Sequence, residues 1–434
     1  MKNFLLRDSS FDINNFHFKN LRFVISIREI LVFILHLVLI FYVIDLRLPL
    51  SFRIADILLL SIFMGLVVTK TTLFFDRKIV QPYLLWWLFF VLGSVFGVLK
   101  FGFNFQYSIL YYKYFLIFCI PIVYLSLVNS QKIFNTQMKL WCFSFIFLLF
   151  WPFIRLFLIL SNQLQAGLRP DFPFSTSLLK HGVGAGHLYS VLIGFGVLFF
   201  LMYKIFSKKK NVFLFFFLFF VVASIVLIMT GSRGGIFGVV TILFFLSIIY
   251  PKYFFSFRVL KRFFVVIITL IPFIVWKTMS LSIWENDGFK QLVLRSFRFN
   301  FFQDSSSFGR IAKLFQSLEF IQSNGFFIGN GPFVPQFWFD GLIANIISSS
   351  GFIGLILFAL GAYNFNKRAL YYGLKNDRYR EYVVFKWLIY YYVLTNIVVT
   401  EFILVTRSVV PCLSLLMLLY IAIKNDYDIF PEKK

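Results

Sequence analysis

A charged residue set among glycines, between two apolar runs that are each long enough to cross a membrane, needs a chemical reason. In TGSRGG, Thr230 to Gly235, the glycines let backbone N–H groups come close to a ligand, and Gly234-Gly235 opens the following apolar run. A helix starting there directs the positive end of its dipole at the point where Arg233 adds a full charge. Such an arrangement suits a phosphate, whose oxygens accept both prongs of a guanidinium. Taken alone the six residues also fit a tight turn with an interfacial arginine snorkelling outward.

Further basic residues fall on the same side of the chain as Arg233: Arg155, Arg169, Lys180, Lys290, Arg295, Arg298, Arg310, Lys313 and Arg407. The acids there are few, namely Asp171, Glu285, Asp287, Asp304, Glu319, Asp340 and Glu401. An unmatched basic cluster at membrane depth is costly, and an anionic ligand completes it. Arg169, Arg295, Arg298, Lys313 and Arg407, with Glu319 and Glu401, are therefore candidate substrate contacts, although Glu401 and Arg407 also suit a structural ion pair across a turn. His181 and His187 bracket the glycine-rich HGVGAGH. With Asp171 the nearest carboxylate they offer too few ligands for a metal, and none is expected. An imidazole there suits a general base, His187, or a partner for a sugar hydroxyl, His181, beside the plain reading of polar loop histidines. Asp340, just before the apolar GLIANIISSSGFIGLILF, is placed either to accept a proton from an attacking hydroxyl or to cap a helix. Tyrosine and tryptophan clusters such as Tyr111-Tyr112 and Trp86-Trp87 are explained by interfacial aromatic belts without a ligand.

The elements that must carry these residues are dictated by composition. Of 434 residues 60% are hydrophobic, 66 are Phe and only 14% are charged, more apolar surface than a soluble fold can hide. Apolar stretches recur at about 30–45, 53–69, 80–99, 106–128, 138–160, 186–206, 211–229, 235–250, 259–277, 342–361, 383–400 and 406–423. Each approaches the roughly 20 residues a helix needs to span hydrocarbon, so the expected fold is all-α, a polytopic bundle of about twelve transmembrane helices. Basic residues collect in alternate short loops, which places both termini, 1–29 and 424–434, in the cytoplasm and leaves loops 161–185 and 278–340 outside. The early polar residues exclude a cleavable signal peptide, and Cys119, Cys142 and Cys412 sit in apolar runs unsuited to a disulfide framework. No glycine loop of the nucleotide-binding kind is present, and neither cofactor nor nucleic acid is expected. Within the second outer loop, SSSFGRIAKLFQSLEFIQSNG puts Ile311, Leu314, Phe315, Leu318 and Ile321 on one face, predicting an amphipathic interfacial helix that stops at Asn324-Gly325.

LIMTGSRGGIFG, then SSSFGRIAKLFQSLEFIQSNGFFIGNGP in a long outer loop, then GLIANIISSSGFIGLILF resemble, in order and spacing, the bacterial O-antigen polymerase and ligase superfamily, the Wzy-like and WaaL-like proteins. The resemblance covers roughly Leu227 to Leu360. It implies a glycosyl transfer on the periplasmic face of the inner membrane, with undecaprenyl diphosphate leaving and a saccharide hydroxyl attacking, and Arg233 and Arg310 binding the diphosphate. The implied partners are the undecaprenyl-diphosphate-linked oligosaccharide, the bilayer and a chain-length regulator. Ligase-like members carry a His-Asn pair where this chain reads FDGLIAN, with Asp340 and Asn345 but no histidine, which favours the polymerase over the ligase. A flippase for lipid-linked saccharides, with two similar halves, is the competing class, and no internal repeat is visible.

Overall fold

The computed structural model describes residues 26–44, 53–69, 76–104, 110–160, 186–206, 213–230, 233–251, 312, 315–322, 325–332, 342–398 and 406–429. Its long elements are helices: α1 (Ile27–Ile44), α2 (Ile54–Val68), α3 (Arg77–Phe101), α4 (Leu110–Leu127), α5 (Gln131–Leu160), α6 (Gly186–Phe206), α7 (Phe213–Met229), α8 (Arg233–Ile249), α9 (Leu342–Lys375), α10 (Tyr379–Val398) and α11 (Thr406–Asn425). They occupy eleven of the twelve predicted stretches, and the remaining one, 259–277, lies outside the described residues, as do both predicted terminal tails except for 26–29 and 424–429. Among the described residues three helices, Arg77–Phe101, Gln131–Arg155 and Leu342–Lys375, are long and apolar enough to cross a membrane. Along the middle and far end of α3 the exposed large apolar side chains are Leu84, Leu85, Leu88, Leu92, Val95, Phe96 and Leu99. An outward stripe of that kind is at home against lipid tails and not in water. The described residues thus form an all-helical bundle with the build of a membrane-associated protein, and its three cysteines are free.

One end of the bundle, here called the base, is tied by polar groups. α9 and α11 both finish with an aspartate in the left-handed region, Asp377 at φ 53° and Asp426 at φ 59°. The next residue then folds back, Arg378 N–H onto the Gly373 carbonyl and Tyr427 N–H onto that of Ala422, which satisfies carbonyls the helix end would leave bare. Those two turns meet. Asn376 donates to the carbonyls of Ile423 and Lys424, and Arg378 reaches Asp426 at 2.5 Å, Asp428 at 3.0 Å and Glu381 at 3.3 Å. Burial opposes the charge on Arg378, but its hydrogen bonds to Asp426 and Asp428 and the nearby Glu381 raise its pKa above the ordinary value, so the guanidinium stays charged across the physiological range. The start of α5 joins through Gln131, which exchanges two hydrogen bonds with the Asp428 backbone. The start of α3 joins through Asp76, which caps its own helix at Lys78, accepts from Tyr420 and pairs with Arg368. Arg28 at the head of α1 donates to Ser126 at the foot of α4.

Helix α9 departs from the continuous span expected at 342–361. It runs on to Lys375 and is broken at Gly351, where φ is 69° and ψ is −171°. The short arm before the break is almost wholly buried, with Leu342 and Ile346 clustered on Trp86 and Phe90 of α3. Carbonyls freed by the break are met by the turn Gly325–Pro332: Asn330 N–H donates to Ser348 and Gly331 N–H to Ser349, while Phe352 and Ile353 donate back to the carbonyls of Phe326 and Phe327. Irregular backbone at membrane depth persists only where protein satisfies it in this way. Three segments meet at Gly93 of α3, where a Cβ would stand 2.7 Å from the Ser349 carbonyl oxygen, 2.8 Å from that of Ile328 and 3.0 Å from the Gly331 nitrogen. Trp86 adds a hydrogen bond to the Ser350 hydroxyl at 3.0 Å.

The predicted interfacial helix is helical over 315–322, and Gly325 N–H closes onto the Ile321 carbonyl, near the expected stop. Of the predicted apolar face, Ile321 is buried, Leu318 half-buried and Phe315 exposed, and the helix docks through Phe320 on Phe101 at the end of α3 with Ser317 also buried. Ile311 and Leu314 lie outside the described residues.

Candidate functional site

The end opposite the base holds every candidate residue whose backbone is described. Helix α8 begins with Arg233 itself, immediately after the turn that closes α7 at Thr230. Its neighbour α6 begins one residue before His187. These two helices lie side by side and parallel: a Cβ on Gly235 would collide with Ser190, and one on Gly194 with Val239. Because Gly235 lies two residues into α8 and Ser190 four residues into α6, the opening turns of the two helices stand next to each other, and their N–H groups leave the bundle at the same end. Helix α10 runs antiparallel to both and fills the groove between them. Tyr391 sits against Gly194 and Gly238 and donates to the Val191 carbonyl at 3.2 Å, and Thr395 packs on Gly238. Arg407 is the second residue of α11, which starts at the end where α10 stops. Glu319 is exposed on the short helix that packs against the top of α3.

His187, Arg233, Arg407 and Glu319 are thus brought to one end by four different elements, three of them in the opening turn of a helix. The side chains of the first three lie outside the described residues, as do Arg169, His181, Arg295, Arg298, Arg310, Lys313, Asp340 and Glu401 altogether. Among the described residues no group of three His, Cys, Asp or Glu is gathered as for a metal ion. What the described backbone offers is a cluster of positive helix ends, a setting that favours an anion.

Below this end lies an apolar cavity of about 100 Å³ between α3, α4, α9, α10 and α11, with Trp87, Ile117, Leu342, Phe358, Tyr392 and Leu413 in its wall. Leu342 is the first residue of the buried arm of α9.

Sequence reasoning missed a buried charge pair. Asp56 is fully buried, accepts from Tyr42 Oη at 2.7 Å and lies 3.9 Å from Arg53, itself only 6% exposed. The readable signal was an Arg and an Asp three residues apart at the head of an apolar run, the spacing that sets both on one helix face. Arg155, one of the basic residues singled out above, is buried within α5. Also unforeseen was a polar contact inside the bundle, Gln137 with the Nδ1 of His36 at 2.7 Å.

No family model and no curated protein matches this chain. The class that fold and helix ends define is a helical, membrane-associated bundle.

Proposed function

We propose that this bundle is a surface-polysaccharide polymerase of the O-antigen type. In this reading it works at the outer face of the bacterial inner membrane and transfers an undecaprenyl-diphosphate-linked glycan to a hydroxyl of another lipid-linked repeat unit. The observation that carries the reading is the parallel pairing of α6 and α8, which sets the helix end bearing Arg233 beside the one bearing His187. A diphosphate leaving as the glycosidic bond breaks develops negative charge, and preorganised N–H groups and guanidiniums stabilise that charge without a metal. Arg233 and Arg310 hold the diphosphate, while Arg169, Arg295, Arg298, Lys313 and Arg407 extend the basic surface. Asp340 or His187 takes the proton of the attacking hydroxyl, and His181, Glu319 and Glu401 bind the sugar. Holding donor and acceptor together supplies much of the remaining barrier reduction. The apolar cavity beneath gives the first units of the lipid chain a place out of water. Asp340 standing where ligases carry histidine supports a polymerase over a ligase.

The test is to express variants in a strain deleted for this gene and to resolve its lipopolysaccharide by gel. Arg233→Ala and Arg310→Ala each leave core bearing a single repeat while the protein is still made. The loss expected for one donor to a developing anion is about 10²- to 10³-fold in rate. A full ladder from either variant removes that arginine from the mechanism. A core with no repeat attached indicates a ligase, and failure of repeat units to reach the outer face indicates a flippase.

A further inference from the structure

The turn Gly325–Pro332 places one asparagine where ordinary structural reasons do not account for it. Asn330 is fully buried, and neither Nδ2 nor Oδ1 of its carboxamide has a hydrogen-bond partner. Asparagine commonly earns a place in a turn by tolerating positive φ or by bonding its own backbone. Neither applies. The positive φ values fall on its neighbours, Gly329 at 76° and Gly331 at 61°, and the side chain bonds nothing, while the main-chain N–H already serves the Ser348 carbonyl. A buried carboxamide with both ends idle destabilises the ligand-free fold, and an apolar side chain of the same shape would not.

We propose that Asn330 is a recognition group for a saccharide hydroxyl, the neutral part of the substrate whose diphosphate is held elsewhere; this rests on the polymerase reading. A carboxamide presents a donor and an acceptor together, and a hydroxyl is the small group that answers both. An ionised phosphate only accepts and leaves Oδ1 idle, and an ammonium only donates and leaves Nδ2 idle. The surroundings point the same way. Residues 325–332 and 342–353 contain no charged side chain, so nothing there suits the diphosphate. A second buried asparagine, Asn345, belongs to the same corner: its main-chain carbonyl accepts the hydroxyls of Ser348 and Ser349, and the main-chain carbonyl of that same Ser348 accepts from the Asn330 N–H. Since Asn330 is covered, a hydroxyl reaches it with displacement of the turn from Ser94, which Gly331 abuts.

The experiment compares thermal unfolding of the purified full chain in detergent, as wild type and as Asn330→Leu, alone, with a short polyprenyl diphosphate, and with the same lipid carrying one sugar. Without ligand, Asn330→Leu unfolds about 2 °C higher than wild type, because an idle polar group has been removed. Wild type is stabilised further by the sugar-bearing lipid than by the diphosphate alone, and Asn330→Leu loses that extra shift while keeping the diphosphate response. Asn330→Ala is measured beside it so that overpacking is not mistaken for a lost partner. If both variants unfold below wild type, the carboxamide is structural and the proposal falls. It falls equally if the extra shift survives in Asn330→Leu or is missing from wild type. No response of wild type to the diphosphate lipid would count against the polymerase reading and leaves the sugar-dependent difference to judge Asn330.

Discussion

Gly235 sets two helix starts side by side, and nothing larger fits between them. A methyl group there would run into Ser190, so Gly235→Ala lowers stability by about 1–3 kcal/mol, the usual cost of an overpacked contact. Because the collision is mainly with the Ser190 side chain, adding Ser190→Gly to the same chain restores most of the loss, read as the unfolding midpoint in detergent. If the double variant is no better than the single, the two helix starts are not in the contact described. Arg233 was legible in the sequence because a lone charge between apolar runs has few explanations. Gly235 was not legible as a packing residue, since its partner lies in another helix and no local pattern announces it. Asp56 was overlooked for a related reason: a carboxylate at the head of an apolar run reads as flanking charge until Tyr42 is seen donating to it.

At the scale of the element the break in α9 is the instructive case. Gly351 adopts φ 69° with ψ −171°, a backbone conformation that costs other residues about 1–3 kcal/mol, and a Cβ there would also strike the Phe327 carbonyl. Gly351→Ala therefore prevents normal accumulation of folded protein. Gly102→Ala, at φ 85° with nothing within 4 Å of the added carbon, loses only the backbone part. Comparing their yields of monodisperse protein by size exclusion checks this, and equal yields would mean that the turn over Gly351 is not packed as described. The helices themselves were readable because a long apolar run has one stable form in lipid. The break was not, because hydropathy averages over about 19 residues and cannot register a single dihedral angle. The same averaging hid how far α9 extends, since its polar last turns, with Asn364 donating to the Lys78 carbonyl and Arg368 pairing with Asp76, are held by contacts to α3 and not by apolarity.

For the whole molecule, the base and the opposite end should face different compartments. With Cys119, Cys142 and Cys412 replaced by serine, Glu319→Cys is labelled by a membrane-impermeant maleimide on intact spheroplasts, and Asp428→Cys only after permeabilisation. The reverse pattern would turn the candidate helix ends toward the cytoplasm and defeat a donor already carried on lipid. The orientation under test is the one that the loop charges predict. The ties that hold the base together could not be read, because Arg378, Asp426 and Gln131 come from distant stretches that only the fold assembles. Gly93 bears on what such a bundle can do. Its missing side chain is replaced by the main chains of Ile328, Gly331 and Ser349, so a slip of α3 by one residue would drive Leu92 or Ser94 into occupied space. The helix is keyed to its neighbours like a tooth in a gear that has been pinned. A machine that slides its helices past one another to carry cargo would have to strip that key at every cycle, whereas one that lifts only the short turn over Ser94 keeps the tooth seated against the Ser349 carbonyl.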